Sequence, residues 1–406
     1  MKTVHCSTNL SNVRPSGHNS IRLKALEGRA LGAGRVVGGT TARGFQSMPG
    51  QECSKFRQFF HTSGRMRRSS VHVMAAENSA ASAGGTPVPK NAILVVGATG
   101  TLGRQVVRLA LDEGYEVRCT VRPRLNPADF LRDWGATTVQ MDLTDPTSIP
   151  AALVGIHTII DCSTARPEES ADVVDWEGKV ALIQSAQAMG IQRYIFFSIL
   201  HCDKHPEVPL MNIKRCTEEF LEQSGMDYTV FRLCGFMQAI IGNYAVPILE
   251  EKPVWGTSDT TRTAYLDTQD VAKMTMASLR SPEAIGKTLP LAGPRGYTTE
   301  QVVRLCETLA DCDAEVRDVP VWVLKAARNF LRSFQWAGDA ADRLAFADLL
   351  SAGEDFTADM TETYRVLGMD ESSVSSLEDY LQEYFTRILK KLKEVGASSK
   401  QTNFYV

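Results

Sequence analysis

Three glycines at three-residue spacing lie in the string Gly97-Ala98-Thr99-Gly100-Thr101-Leu102-Gly103, directly after the apolar run Ile93-Leu94-Val95-Val96. Glycine allows a tight backbone turn and lets phosphate oxygens approach the main chain. Leu102 opens a helical pattern, so the unpaired N–H groups and positive dipole end of that helix would face the same point. Strand, glycine turn and helix start together make a site for the pyrophosphate of a dinucleotide. The alternative is a glycine turn that holds no ligand. Gly97, Thr99, Gly100, Thr101, Leu102 and Gly103 are the cofactor-binding residues expected on this reading.

The end of the next strand selects between nicotinamide cofactors. Sites that prefer NAD usually carry an acidic residue there, bonded to the ribose 2′-hydroxyl. This strand ends Cys119-Thr120-Val121-Arg122-Pro123-Arg124, without an acid. Arg122, with Arg124 as a second candidate, suits a 2′-phosphate, and Arg104 follows the loop closely enough to assist. NADP(H) is the cofactor expected; the competing reading leaves these arginines simply solvated. Asp142 ends the third strand, where the adenine would lie, and Ser163 ends the strand beside the cofactor crevice.

The elements that must hold these residues follow from periodicity. Strands are expected at Ala92–Gly97, Glu116–Arg122, Thr137–Asp142, His157–Ser163, Arg193–Ser198 and Tyr228–Cys234. Several are continuously apolar, as strands buried on both faces of a parallel sheet are. Helical patterns at Leu102–Glu113, Pro146–Leu153 and Asp175–Met189 alternate with them, and Gly114 and Gly190 mark helix ends. The fold class is therefore α/β, a Rossmann doubly wound parallel sheet. Beyond it come a strand-like Thr263–Leu266, a helix Thr268–Leu279 capped by Asp267 or Thr268, and a strand Lys287–Ala292. A helix Thr298–Ala310 follows, with capping-box spacing between Thr298 and Gln301, then a short strand Val316–Val319. Pro320–Val395 reads as mostly helical, a smaller C-terminal part.

Charge divides the 406 residues unevenly. Residues 1–75 hold twelve Lys and Arg against Glu27 and Glu52 alone, with no continuous apolar stretch. That is the composition of an organelle transit peptide, the alternative being a basic arm. Residues 76–90 read as a flexible leader, 91–319 as the dinucleotide-binding domain and 320–406 as a helical extension packed on it. The remainder after residue 75 has 32 basic and 45 acidic residues, which argues against broad nucleic-acid binding while leaving room for a local basic patch. Seven cysteines outside the leader are scattered and never spaced C-x-x-C, the pattern of reduced structural thiols. His201 and His205 lie four apart, but Pro206 and Pro209 make that stretch a surface loop, and no metal site is expected. No window has the eighteen or so apolar residues of a membrane span.

The spacing G-x-x-G-x-x-G resembles that of the atypical short-chain dehydrogenase/reductases, particularly their NmrA-like members. The resemblance implies a Ser at the end of the fifth strand and a Tyr-x-x-x-Lys pair downstream. Ser198 and Lys214 match the serine and lysine, but the tyrosine position holds Leu210, and no tyrosine lies between Tyr194 and Tyr228. Leucine has no proton to give a carbonyl that receives hydride. Lys214 could still bind the nicotinamide ribose, and some NmrA-like reductases lacking the tyrosine use the lysine as base. Ser198 and Lys214 stand as the catalytic candidates on that footing.

Longer strings sharpen the resemblance: Ala128–Ala136, Val174–Ile183, Cys202–Met211, Arg232–Gln238, Ala245–Lys252 and Met360–Thr363. Together they resemble the chloroplast photosystem II assembly factors named for a high-chlorophyll-fluorescence phenotype, and their cyanobacterial relatives, from about residue 91 to the C-terminus. The resemblance implies a protein on the stromal face of the thylakoid membrane. It implies support for translation initiation on the plastid reaction-centre mRNA and for synthesis of the reaction-centre subunit. It implies, as partners, that nascent subunit and one-helix light-harvesting-like membrane proteins that deliver chlorophyll; direct RNA contact is left open. Two other readings stay beside it: an NADPH-dependent reductase of an isoprenoid, tetrapyrrole or quinone using Lys214, and a redox sensor that distinguishes NADP+ from NADPH.

Two C-terminal segments offer docking surfaces. As a helix, Trp322–Trp336 would set Trp322, Ala326, Phe330 and Phe334 near one face, flanked by Lys325, Arg328 and Arg332; this suits a partner helix or an anionic membrane, or packing against the core. Leu377, Leu381, Tyr384, Ile388 and Leu392 recur at helical steps after Ser375 and Ser376, as a core-packing amphipathic helix does.

Overall fold

In this computed structural model the described residues are 88–122, 129–256, 260–318 and 338–402. The basic N-terminal segment, Arg124 and the Trp322–Trp336 stretch lie outside them. Strands β1 (Ala92–Val96), β2 (Glu116–Val121), β3 (Thr137–Gln140), β4 (Thr158–Asp161), β5 (Arg193–Ile199) and β6 (Asp227–Leu233) fall within three residues of the expected runs. With Lys287–Leu291 they form one seven-stranded sheet. The helices on it are α1 (Thr101–Asp112), α2 (Asp129–Asp133), α3 (Ile149–Leu153), α4 (Gly178–Ala188) and α5 (Pro209–Gln223). After β6 come α6 (Met237–Ile240) and α7 (Val246–Leu249), joined by a π-helical turn at Ile241–Ala245. Then follow β7 (Val254–Gly256), β8 (Arg262–Thr263), α8 (Thr268–Arg280), β9 (Lys287–Leu291), α9 (Thr299–Ala310) and β10 (Val316–Asp318). The chain continues through α10 (Gly338–Leu349), β11 (Asp355–Phe356), α11 (Thr361–Leu367) and α12 (Leu377–Thr402).

The sheet order is β3-β2-β1-β4-β5-β6-β9, and every pairing in it is parallel. β1 is flanked by β2 and β4, so the strand order reverses there, and ligands of such sheets bind beyond the carboxyl ends of the strands at that point. Residues alternate between the two faces as the pleat requires. Ile93 and Val95 of β1, with Ile195 and Phe197 of β5, pack among Val106, Val107, Val271 and Met274. Leu94 and Val96, with Tyr194 and Phe196, pack among Ile149, Leu182 and Ile183.

Departures from the expected elements have local causes. Helix α5 follows the proline-bearing loop and begins at Pro209; a proline there forfeits an N–H that no intrahelical acceptor would have used. The expected helix at Asp175 opens earlier, as a π-helical turn over Asp172–Glu177 that runs into α4. Asp267, whose side chain accepts from Gln269 N–H, caps α8. Thr298 and Gln301 form the capping box at α9. Of Thr263–Leu266, Thr263 joins a strand pair with Phe356, and Leu266 forms an isolated parallel bridge with Phe236.

The C-terminal helix packs on the core over its first turns. Leu377, Leu381 and Phe385 are buried among Met237, Ile240, Val302 and Cys306, and Ser376 Oγ accepts from Asp379 N–H as its cap. Leu381→Ala should lower unfolding free energy by about 2–5 kcal/mol through lost burial and a residual cavity. The exposed neighbour Gln382→Ala should be nearly neutral in the same urea titration.

Candidate functional site

Register places the glycine loop. Val96 pairs with Asp161 across β1 and β4, so Gly97 emerges against Cys162 and Ser163. Gly97 has φ +76°, and a Cβ on it would lie 2.8 Å from the Cys162 carbonyl. A Cβ on Gly103 would lie 2.2 Å from the Gly97 oxygen. Both positions therefore exclude a side chain, and helix α1 sits hard against the turn. Gly100 caps α1 without any side-chain hydrogen bond, which leaves first-turn N–H groups for an anion.

Beside the loop is a cavity of about 350 Å³, whose wall includes Gly97, Thr99, Gly100, Arg122, Asp142 and Ser163. The structure thus brings those six expected residues together at the carboxyl ends of β1, β2, β3 and β4. Thr101, Leu102 and Gly103 are not on that wall: Leu102 is buried in the core beneath α1, and Gly103 makes the close approach to Gly97. The features a dinucleotide needs are present: a backbone cradle with no room for Cβ atoms, an uncapped helix start and an arginine at the end of β2.

Arg122 has a protein partner. Its guanidinium donates to Glu169, on the loop that follows β4. Glu169 Oε2 also accepts from Arg166 N–H at 2.9 Å. Burial raises the Glu169 carboxyl, but the Arg166 N–H and the Arg122 guanidinium outweigh it and hold the group below the usual range. Asp142 Oδ1 accepts from the N–H and hydroxyl of Thr144, which fixes the turn after β3.

Behind the cavity lies a network of buried charges that the sequence reading did not identify. Asp161 ends β4 and Lys179 lies in α4; both side chains are wholly excluded from solvent, with Nζ 2.7 Å from Oδ2. Lys179 also donates to the Ser163 carbonyl at 2.8 Å and hydroxyl oxygen at 3.0 Å. Tyr194 OH and Ser163 Oγ donate to Asp161. A second pair, Lys214 and Asp175, is 3.2 Å apart, and Asp175 Oδ2 accepts from Ala165 N–H and Thr164 Oγ1. Both ammoniums lie within 5.4 Å of the Phe196 ring centroid. Burial opposes ionisation of Asp175, yet Lys214 and Lys179 hold its carboxyl below the usual value. Burial likewise pushes Lys214 below an ordinary lysine, against the pull of Asp175.

The two catalytic candidates therefore stand apart from the cavity wall. Lys214 is buried against Asp175, whose other carboxylate oxygen accepts from Thr164 and Ala165 on the cavity wall. Ser198 belongs to another buried cluster: its Oγ is 3.6 Å from Cys202 Sγ, Cys202 donates to Glu218, and Arg232 holds Glu218 by two hydrogen bonds. Burial and the Glu218 charge push the Cys202 thiol up to about 12, so it stays protonated. Leu210, beside Pro209 in the first turn of α5, offers no proton. The wall includes neither Ser198 nor Lys214. His201 and His205 lie in the loop before α5, and no metal-binding group occurs among the described residues.

Comparison with known proteins places this architecture. The NmrA-like family profile matches residues 89–374. An Arabidopsis thaliana protein named for high chlorophyll fluorescence phenotype 244, and labelled chloroplastic, is 63% identical over 321 residues, covering 79% of this chain and 81% of that protein. The Synechocystis photosystem II assembly factor Ycf39 is 48% identical over 324 residues, covering 77% and 99%. Among solved structures, the Escherichia coli NADPH-dependent quinone oxidoreductase, complexed with NADPH, superposes with TM-score 0.58 at 24% identity, covering 72% of this chain and 99% of that one. That last likeness shows the fold alone.

Lys179→Met should cost about 3–5 kcal/mol in urea denaturation, because Asp161 would stay buried without its cation. Adding Asp161→Asn should recover part of that loss. Asp175 sets an acid limb. Its folded carboxyl titrates below the ordinary 3.8, so its stabilisation is complete above that value and is lost as pH falls through the folded pKa. The destabilisation caused by Asp175→Asn should therefore be largest near neutrality and narrow below about pH 4.

Proposed function

The chain belongs to the NmrA-like family, and from that membership we propose that it is an NADP(H)-binding auxiliary factor of photosystem II biogenesis in the chloroplast, without standard dehydrogenase chemistry. The observation that carries this reading is a complete dinucleotide cradle whose neighbouring lysine is committed elsewhere. Gly97, Gly100 and Gly103 form the cradle, while Lys214 is held by Asp175 and Leu210 replaces the proton donor. Relatives at 63% and 48% identity supply the biological setting through their names, one chloroplastic and one a photosystem II assembly factor.

The residues of this chain would divide the cofactor among them. First-turn N–H groups of α1 would hold the pyrophosphate, Asp142 would meet the adenine region, and Arg122 would take the 2′-phosphate. NADP(H) supplies hydride chemistry where a substrate and a proton donor adjoin the nicotinamide. Here Leu210 withholds the donor, and Lys214 is engaged with Asp175. Binding would then serve to stabilise one form of the protein, since a ligand that binds only the folded state raises its stability by mass action.

In this reading the protein works at the stromal face of the thylakoid. It supports translation initiation on the reaction-centre mRNA and chlorophyll loading of the nascent subunit, together with one-helix light-harvesting-like proteins. Among the described residues no helix is long and apolar enough to cross a membrane, which suits peripheral attachment through such partners.

Affinity purification from thylakoids of the wild-type protein beside Gly100→Asp tests the proposal. The aspartate puts a negative charge where the pyrophosphate would sit, so NADPH affinity should fall at least about tenfold. The wild type should recover photosystem II assembly intermediates. A wild type that recovers none would overturn the assembly role. NADPH oxidation by the wild type with a plastid quinone or tetrapyrrole, lost in Lys214→Met while NADPH still binds, would overturn the non-catalytic reading.

A further inference from the structure

The loop Ser163–Ala171 both lines the cavity and carries the carboxylate that occupies Arg122. Ser163, Thr164, Ala165, Arg166 and Pro167 are on the cavity wall. Two residues later Glu169 turns back: its N–H donates to the Arg166 carbonyl at 3.0 Å and its Oε2 accepts from Arg166 N–H. Its other carboxylate oxygen, Oε1, accepts from the Arg122 guanidinium. The loop is thereby tied at its start to the buried Asp161–Lys179 pair through Ser163, and farther along to the end of β2 through Glu169.

We propose that Glu169 is an intramolecular competitor for the 2′-phosphate of an NADP-type dinucleotide, so that a phosphorylated ribose, and not a plain one, frees Glu169 from Arg122 and loosens residues 166–171. The inference rests on the NADP(H) reading above. Its chemistry is an exchange of anions on one guanidinium. A carboxylate carries one negative charge, whereas a ribose phosphomonoester near neutrality carries nearly two, with three acceptor oxygens. The planar guanidinium fits either anion, and the phosphate is the stronger partner. The Arg122 and Glu169 side chains are 25% and 19% exposed, open enough to exchange yet shielded enough for the pairing to matter. A ribose 2′-hydroxyl is neutral and cannot replace the carboxylate. It could instead donate to Glu169, as it does to the acidic residue of NAD sites. The protein would so distinguish the two cofactors by the state of a surface loop as well as by affinity.

The test uses the full chain with NADPH and NADH as probes, read by calorimetric titration and by amide hydrogen exchange. Glu169→Gln should tighten NADPH binding about tenfold by removing the competitor, while NADH binding stays within about twofold or weakens. In an Arg122→Gln background the same change should leave NADPH affinity unaltered. In the wild type, which needs no substitution, NADPH should speed exchange of amides 166–171 relative to NADH. Unchanged NADPH affinity in Glu169→Gln, or identical loop exchange with the two cofactors, would overturn the proposal while leaving cofactor binding intact. Failure of both the wild type and Glu169→Gln to bind either dinucleotide would overturn the cofactor reading and this inference with it.

Discussion

The pairing of Lys179 with Asp161 constrains everything around the cavity. Neither side chain touches solvent, and an ammonium and a carboxylate so placed are tolerable only if each is met by the other and by further hydrogen bonds. Asp161 is met by Tyr194, Ser163 and Lys179, and Lys179 also by the Ser163 carbonyl. These demands fix the end of β4, the first turn of α4 and the start of the loop between them. The cavity wall at Ser163 is thus set by electrostatic necessity in the layer behind it. Asp175 repeats the arrangement one helical turn earlier, through Ala165 and Lys214.

What the sequence disclosed and what it hid divide along local and distant causes. The turn from β1 to α1 was legible because strand, glycines and helix start are contiguous and each follows from residue type. The alternation of Leu94 and Val96 against Ile93 and Val95 was legible as a doubly buried strand, and the sheet class followed. Arg122 was legible as a cation at the end of β2. Its engagement by Glu169 was not, because that partner lies 47 residues away on a loop without a periodic signal. Asp161 left a trace, an acid ending the apolar run Ile159-Ile160, and a buried acid implies a cation somewhere. Nothing local says that the cation is Lys179. Helix α5 was obscured by Pro206 and Pro209, although a proline at a helix start is favourable.

Lys214 shows why a matching position is a poorer guide than a matching environment. Its place after β5, four residues beyond Leu210, fits the lysine of a reductase. Its ammonium, however, is buried, satisfied by Asp175 and 5.3 Å from the Phe196 ring centroid. A lysine that lowers the pKa of a tyrosine has nothing to act on here. Its pairing with Asp175 makes it a structural cation more than a mobile base, because moving it toward a ligand would strand Asp175 without its charge.

Ser198, on the same face of β5 as Phe196, leads to the same conclusion. Its hydroxyl joins Cys202, Glu218 and Arg232 in a cluster that ties β5, α5 and β6 together, and the thiol within it is held protonated. A reductase that uses the tyrosine would need a proton donor at 210, and its lysine would have to leave the buried pairing with Asp175. Retaining a nucleotide cradle needs none of this, since the cradle depends on backbone at Gly97, Gly100 and Gly103 and on an uncapped helix start. Binding and tyrosine-dependent chemistry therefore rest on different residues in this fold: the backbone of the glycine turn for the one, and positions 198, 210 and 214 for the other.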